Sequence, residues 1–404
     1  LDGDGYRCEC LDGFGSDNCS TDYCATLDCK NGGTCVRLPG SAKCECPQYY
    51  SGTECEIFTP PWESVGSNTI EGAKNIDIAM NGDTPCFVYR DIPTGNGLTV
   101  RCLNNDEWLP VGSEGFSYAG SISGLQIQYW DGTPYVTNRS SSGIYQIEQM
   151  YAFDGIDWYS TSFNDQTAFE DVFTSDDLAI CDGVVYTAFS QASDEYVVSS
   201  ENNWTVLGTY QDGAGQRLEC DGATLYRVLT APDWTDSDRA QIQVWDSALE
   251  QWNFIADQDF YIVRDLETIA IDIAVYNGVP YVAIAEGQVG VNTRISVMKL
   301  GTTAWEFVGE SQFTTAYWFT TLKMVVNDEG KPIVAFTSED DERPAIVQFD
   351  GETWRELGDR TTLLSGIGSV FDYSITLADD GTVWMAMTDD DNYRRITVKK
   401  ISSL

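Results

Sequence analysis

The sequence predicts an all-β fold: seven four-stranded sheets closed into a β-propeller, behind a small disulfide-rich front segment. Three observations carry this. A tryptophan recurs as Trp62, Trp108, Trp158, Trp204, Trp252, Trp305 and Trp354, at steps of 46, 50, 46, 48, 53 and 49 residues. A Gly turn recurs in phase with it, as Asn81-Gly82, Asp131-Gly132, Asp182-Gly183, Asp221-Gly222, Asn277-Gly278, Glu329-Gly330 and Asp380-Gly381. Thirdly, nine of the 13 cysteines lie within the first 55 residues, too short a stretch to build a large core. A period in the forties with four strands per unit is the signature of a propeller, because one thin sheet buries both faces only by packing on two neighbours.

The front segment comes first. Cys24, Cys29, Cys35, Cys44, Cys46 and Cys55 are spaced C-x4-C-x5-C-x8-C-x-C-x8-C, with Asn31-Gly32-Gly33-Thr34-Cys35, Cys44-Glu45-Cys46-Pro47 and a Gly52 before the last cysteine. Spacing alone leaves fifteen connectivities open. Residues 20–56 resemble an epidermal-growth-factor-like (EGF-like) module. The resemblance implies the pairs Cys24–Cys35, Cys29–Cys44 and Cys46–Cys55. Residues 1–19, with Cys8-Glu9-Cys10 and Cys19, resemble the C-terminal part of a similar module in which Cys10 pairs with Cys19. Cys8 then requires a partner upstream, and further modules are expected in front. The family's calcium-binding pattern before the first cysteine is matched at Asp22 alone. Its O-fucose acceptor pattern falls on Thr34. Residues 57–61 form a short linker that Pro60-Pro61 stiffens.

The propeller is expected over residues 62–404. Its pattern is plainest from Ile271 to Gly309. Ile271, Ile273 and Val275 alternate as in a half-buried strand, and Asn277-Gly278 supplies the positive φ values of a type I′ turn. Tyr281–Ala285 reads as a fully covered strand, followed by strands from Ile295 and from Trp305. The last unit, from about Tyr373 through Thr382–Met387 to Ile396–Leu404, lacks a fourth strand and its tryptophan. Pro61-Trp62-Glu63-Ser64-Val65-Gly66 is a fourth strand without the other three, matching Trp305-Glu306-Phe307-Val308-Gly309. The N-terminal strand is therefore expected to complete the last blade and close the ring, removing free sheet edges. Cys86 and Cys102 lie symmetrically about one turn and are expected to pair across strands. Cys181 and Cys220 each precede an Asp-Gly turn in consecutive blades and are expected to pair between blades. Three Asn-x-Ser/Thr sequons, at Asn18, Asn138 and Asn203, are candidate glycosylation sites; Asn138 is expected in a loop facing solvent and Asn203 in a hairpin.

Composition excludes several functions. With 23 basic and 63 acidic residues the formal charge is −40, which argues against nucleic acid and anionic membrane surfaces. No apolar run approaches a membrane span. There is no histidine, so His-based acid–base chemistry, Ser-His pairs and His-ligated zinc are excluded. The cysteine count requires an oxidising compartment. Glu339-Asp340-Asp341-Glu342 and Asp389-Asp390-Asp391 are candidate Ca²⁺ ligands, although adjacent acids cannot all point inward and no Asp-x-Asp-x-Asp-Gly loop is present; solvated loop charge is the favoured reading, and no cofactor is expected. Trp234, Tyr317 and Trp318 fall outside the repeat phase, where aromatics stack on sugars or partners or pack under their own loops. Asp350-Gly351-Glu352-Thr353-Trp354 resembles the aspartate box of sialidases without its Asp-x-Gly spacing, and that box is a structural turn.

The blade pattern is similar to repeats of secreted bacterial and algal surface proteins, on Gly278–Ala283, Val297-Met298-Lys299 and Trp-x-x-Val-Gly; with the front modules the chain also resembles the mastigoneme (flagellar-hair) proteins of stramenopile algae. The expected function is that of a non-catalytic, secreted structural or adhesive protein, its modules a stalk and its propeller a platform for self-association in a polymer or for an extracellular partner protein. The alternatives are a carbohydrate-binding propeller, with glycans as partners, and a propeller glycoside hydrolase.

Overall fold

The computed structural model describes residues 9–16, 19–47, 49–117, 121–142, 145–161, 172–191, 194–201, 204–210, 216–231, 239–255, 267–287, 293–302, 304–317 and 321–402. The chain divides into two compact units, Leu1–Trp62 with Leu357–Leu363, and Glu63–Glu356 with Leu364–Leu404.

In the first unit Thr34–Leu38 pairs with Ser41–Glu45, and Tyr50–Ser51 with Ile57–Phe58. Disulfides join Cys10–Cys19, Cys24–Cys35, Cys29–Cys44 and Cys46–Cys55. The Asn-Gly-Gly motif has a steric cause. Asn31 Nδ2 donates to the Cys55 carbonyl at 2.8 Å, and a Cβ on Gly33 would lie 2.6 Å from Cys55 Sγ. In the same unit, the Asp359 N–H donates to the Pro60 carbonyl, and Trp62 Nε1 donates to the Leu357 carbonyl at 2.9 Å.

The second unit contains seven antiparallel sheets. Blade 1 is Ala73–Asn81, Thr84–Asp91, Gly97–Asn104 and Glu107–Pro110; blade 2 runs from Ser121–Trp130 to Trp158–Ser160, blade 3 from Val172–Cys181 to Thr205–Tyr210 and blade 4 from Gln216–Asp221 to Gln251–Phe254. Blade 5 is Glu267–Tyr276, Val279–Gly287, Thr293–Leu300 and Trp305–Phe307, and blade 6 runs from Lys323–Val326 to Trp354–Glu356. Blade 7 is Val370–Leu377, Thr382–Asp389 and Arg395–Ser402, completed by Glu63–Val65, in register Val398↔Val65 to Lys400↔Glu63. Blade 7 meets blade 1 through Asn75 N to Asp372 Oδ2 at 3.1 Å and Ala73 N to the Arg394 carbonyl at 3.0 Å. The cores lie between blades: Ile76, Ile78, Phe87 and Trp108 pack with Trp384, Ala386 and Val398.

Turn chemistry follows the sequence in the first five blades with one refinement; at Glu329-Gly330 and Asp380-Gly381 the turn is longer, the ladders ending at Val326↔Pro332 and Leu377↔Val383. Asp131-Gly132, Asp182-Gly183 and Asn277-Gly278 occupy both central positions of their hairpins at positive φ. In blades 1 and 4 the strands run one residue further, so that Gly82 and Gly222 take the first central position.

The Trp-x-x-Val-Gly motif proves to be a lock between blades. Trp108 Nε1 donates to the Val65 carbonyl at 3.3 Å, Trp158 to Val111 at 2.7 Å, Trp252 to Leu207 at 3.0 Å and Trp354 to Val308 at 2.8 Å. In these four contacts, and in the Trp62–Leu357 contact, the acceptor lies three residues after the phased tryptophan of the preceding repeat. A glycine follows each acceptor in the left-handed region (Gly66, Gly112, Gly208, Gly309, Gly358). At Gly66 a Cβ would strike the indole of Trp108 at 2.0 Å, so the motif needs glycine both for φ and for room.

Candidate functional surfaces

The inner strands place one residue per blade at a shared register around the axis: Asp77, Gln126, Asp177, Arg217, Asp272, Lys323 and Ser374. Their equivalence follows from bonding. Asp77 Oδ2 accepts from Ile127 N at 2.9 Å, Gln126 Oε1 from Leu178 N at 3.0 Å, Asp177 Oδ2 from Leu218 N at 2.7 Å and Asp272 Oδ2 from Met324 N at 2.6 Å. Each donor directly follows its own blade's ring residue. Ser374 Oγ returns to Asp77 Oδ1 at 2.5 Å. From blade 3 to blade 6 the charges alternate: Asp177, Arg217, Asp272, Lys323.

Burial raises the carboxyls of Asp77 and Asp272, opposed first by Lys323, and pushes Asp177 up to about 6, opposed by Arg217 and Lys323. Glu219, two residues beyond Arg217, is pushed up to about 8 by burial, with Asp177 and Asp272 adding to the rise. It therefore carries a proton at neutral pH. Each of the three ring aspartates accepts a backbone N–H of the next blade, so this belt ties blades together.

The two acidic clusters face one cavity of about 350 Å³, lined by Asp341, Glu342, Arg343, Ile367–Val370 and Asp391. Asp391 Oδ2 accepts from Ser369 N at 2.9 Å and Ser369 Oγ at 2.7 Å. Asp390 pairs with Arg394 at 3.4 Å, and buried Asp389 faces Arg395 at 3.9 Å. Among the described residues no three Asp, Glu, Cys or His side chains stand close enough to hold a metal ion. Asp22, the single match to the calcium pattern, bonds Cys24 N and pairs with Arg37 at 2.9 Å.

The remaining sequence candidates fall as follows. Cys86 stands opposite Cys102 across two strands of blade 1 and is bonded to it; Cys181 is bonded to Cys220 between blades 3 and 4. Thr34 is exposed. Asn138 requires a correction. It lies not in a solvent-facing loop but in the strand Thr133–Ser142, paired with Gln149 and with no exposed surface. The polar run from Thr137 to Ser142 reads as a loop, whereas the strand continues through it. Asn18, Asn203, Cys8, Trp234 and Trp318 lie outside the described residues; Tyr317 is half-buried, its N–H bonded to the Thr337 carbonyl. Asp350 Oδ1 accepts from Glu352 N and Thr353 N, capping a hairpin as Asp154 and Asp246 do in blades 2 and 4.

The sequence reading missed the axial ring and one groove. The ring's signal is an acid inside an apolar inner strand at fixed phase, as in Ile76-Asp77-Ile78 and Ile271-Asp272-Ile273. The groove, about 400 Å³, lies between blades 3 and 4 beside Trp245.

Comparison with known proteins separates the two units. The model of the EGF-like domain matches residues 24–54. A cubilin homologue of Caenorhabditis elegans is 36% identical over 115 residues, covering 27% of this chain and 3% of that protein. The protocadherin-like wing polarity protein stan of Drosophila melanogaster is 40% identical over 73 residues, 17% of this chain and 2% of the relative. The chain thus spans a few per cent of the length of these curated relatives. A solved polysaccharide lyase of family PL25, an ulvan lyase, aligns over 84% of this chain and 96% of its own at a TM-score of 0.53 and 13% identity, which shows a shared fold. Trypanosoma rangeli sialidase aligns over 74% of this chain and 56% of its own at a TM-score of 0.45 and 11% identity. The EGF-like domain, its disulfides and the extracellular type of its relatives fit an extracellular or surface protein, and no helix among the described residues is long and apolar enough to cross a membrane.

Proposed function

We propose that this chain is a non-catalytic extracellular adhesive or structural protein whose EGF-like module serves as spacer and whose propeller is a rigid platform for partner binding or self-association, in a setting such as a cell-surface appendage. The observation that carries this reading is the state of the axial carboxylates. A propeller glycosidase of the two-carboxylate kind needs a pair of carboxyls free to act as acid and as base or nucleophile. Here Asp77, Asp177 and Asp272 each accept a backbone N–H from the adjoining blade. Their work is structural. The test has two arms. Sedimentation and electron microscopy of the native material are expected to show oligomers or filaments. Incubation with chromogenic glycosides and with uronate-rich polysaccharides is expected to give neither released chromophore nor unsaturated ends. Turnover in the second arm would overturn the non-catalytic reading, and strictly monomeric material would remove self-association.

A second reading, carbohydrate binding, is favoured by the groove beside Trp245. It combines an aromatic face with carboxylates and hydroxyls. A glycan array tests it.

A further inference from the structure

The junction between blades 3 and 4 differs from its counterparts. In blades 2 and 6 the residue paired with the phased tryptophan is Phe153 or Phe349. Each ring sits against the glycine of the preceding blade: a Cβ on Gly112 would lie 2.8 Å from Phe153, and one on Gly309 would lie 2.7 Å from Phe349. Those junctions are filled. In blade 4 the corresponding residue is Trp245, paired with Trp252. The strands run one pair further, to Asp246↔Gln251, before turning. Trp245 packs on Trp252, with ring centroids 5.3 Å apart; among the described residues nothing but Trp252 comes within 4 Å of a Cβ built on Gly208.

The space left open is the groove of about 400 Å³, within the range of small-ligand sites. Trp245, Glu201, Glu250, Ser199, Ser247 and Thr205 line it, and no basic residue does among the described residues. The Trp245 indole N–H makes no hydrogen bond among the described residues, unlike the tryptophans that lock the blades. The Glu201 backbone is held, its N–H bonded to Ser199 Oγ and its carbonyl accepting from Thr205 Oγ1, both at 3.1 Å. The carboxylates of Glu201 and Glu250 have no hydrogen-bond or ion-pair partner among the described residues. The walls thus offer an apolar indole surface, one N–H donor, two free anionic acceptors and hydroxyls.

We propose that the groove between blades 3 and 4 binds a pyranose ring without negative charge, an amino sugar more tightly than a neutral one, with the ring or its ammonium group on Trp245 and the polar groups on Glu201 and Glu250. The proposal deepens the carbohydrate-binding reading and rests on it. A sugar's C–H face stacks on an indole, its hydroxyls donate to carboxylates, and an ammonium gains from both the carboxylates and the indole face. Uronates and other acidic sugars meet two like charges, with no basic residue among the described lining of the groove to offset them.

The experiment is calorimetric titration of the full chain with tetrasaccharides of glucosamine, glucose and glucuronate, alongside a glycan array. Glucosamine is expected to bind at least about tenfold more tightly than glucose, since hydrogen bonds to charged groups are worth this much, and glucuronate is expected not to bind. Trp245→Ala should abolish binding. Glu201→Gln with Glu250→Gln, both at exposed positions, should bring glucosamine to the affinity of glucose while the melting curve stays unchanged. Glucuronate binding as tight as glucosamine, or a double Gln variant that keeps the amino-sugar preference, overturns the proposal. If the array yields a ligand whose affinity survives both variants, carbohydrate binding stands and this groove is the wrong site. A blank array and three flat titrations remove both.

Discussion

Glu219→Gln is expected to stabilise the protein at neutral pH. In the fold the Glu219 carboxyl titrates at about 8, mainly because burial penalises its charged form, against an ordinary value of 4.5. Between those values the folded chain holds a proton that the unfolded chain has released. Stability therefore falls as pH rises through this window, and below it, where both states are protonated, the group contributes no slope. At pH 7 ambient pH stands about 2.5 units above the unfolded value; at about 1.36 kcal/mol per unit, holding the proton costs up to about 3 kcal/mol. Glutamine keeps the shape and the acceptor for Cys220 N, now 3.1 Å from Oε1, but has no proton to retain. Urea unfolding followed by tryptophan fluorescence at pH 4.5, 5.5, 6.5 and 7.5 measures the effect. Acid also relieves the repulsion expected of a chain with a formal charge of −40, but that relief is shared by parent and variant and cancels in their difference. The difference should be near zero at pH 4.5 and grow to between about 1 and 3 kcal/mol at pH 7.5. A variant that tracks the parent at every pH, or that is weaker at pH 7.5, refutes the placement of Glu219.

The blade lock is tested by two substitutions. Trp354→Phe removes the 2.8 Å bond to the Val308 carbonyl and should cost about 1–3 kcal/mol by chemical denaturation. Gly309→Ala should cost more, because it combines a φ of +71° with a contact of 2.7 Å to Phe349. Cys181→Ser with Cys220→Ser opens a bridge between positions 39 apart in sequence and should lower stability by about 3–4 kcal/mol, read as a drop in thermal midpoint under non-reducing conditions. Asn138 should be free of glycan in folded, secreted material by peptide mapping, since its side chain has no exposed surface; occupancy there would contradict the strand assignment.

The parts of this molecule that the sequence discloses are those where one residue meets a steric or covalent demand. Gly278 is legible because a two-residue hairpin needs positive φ, and the front cysteines because their spacing matches a known module. Trp62 without three strands before it, and Lys399 without a fourth after it, disclose the closure. Where a residue's role depends on a neighbouring blade, the sequence is silent. Asp272 inside Ile271-Asp272-Ile273 reads as the wet face of a strand, yet it accepts the N–H of Met324, 52 residues on. Trp245 carries no signal of its own in the sequence; its difference from Phe153 appears only beside Gly208. Asn138 misleads because local polarity predicts a loop, while pairing with the strand Tyr145–Phe153 decides otherwise.

The strand Glu63–Val65 imposes an order of events on synthesis. Its partner, Val398–Lys400, is translated roughly 330 residues later, which at about 5–20 residues per second is an interval of some 20–70 s. Throughout it the three residues that will seal the final sheet have nothing to pair with. Once Arg395–Ser402 emerges, its own outer edge is briefly a template for any extended segment. A nascent chain on a neighbouring ribosome carries the same short strand, so crowding during synthesis sets up a competition between sealing within one molecule and exchange between two.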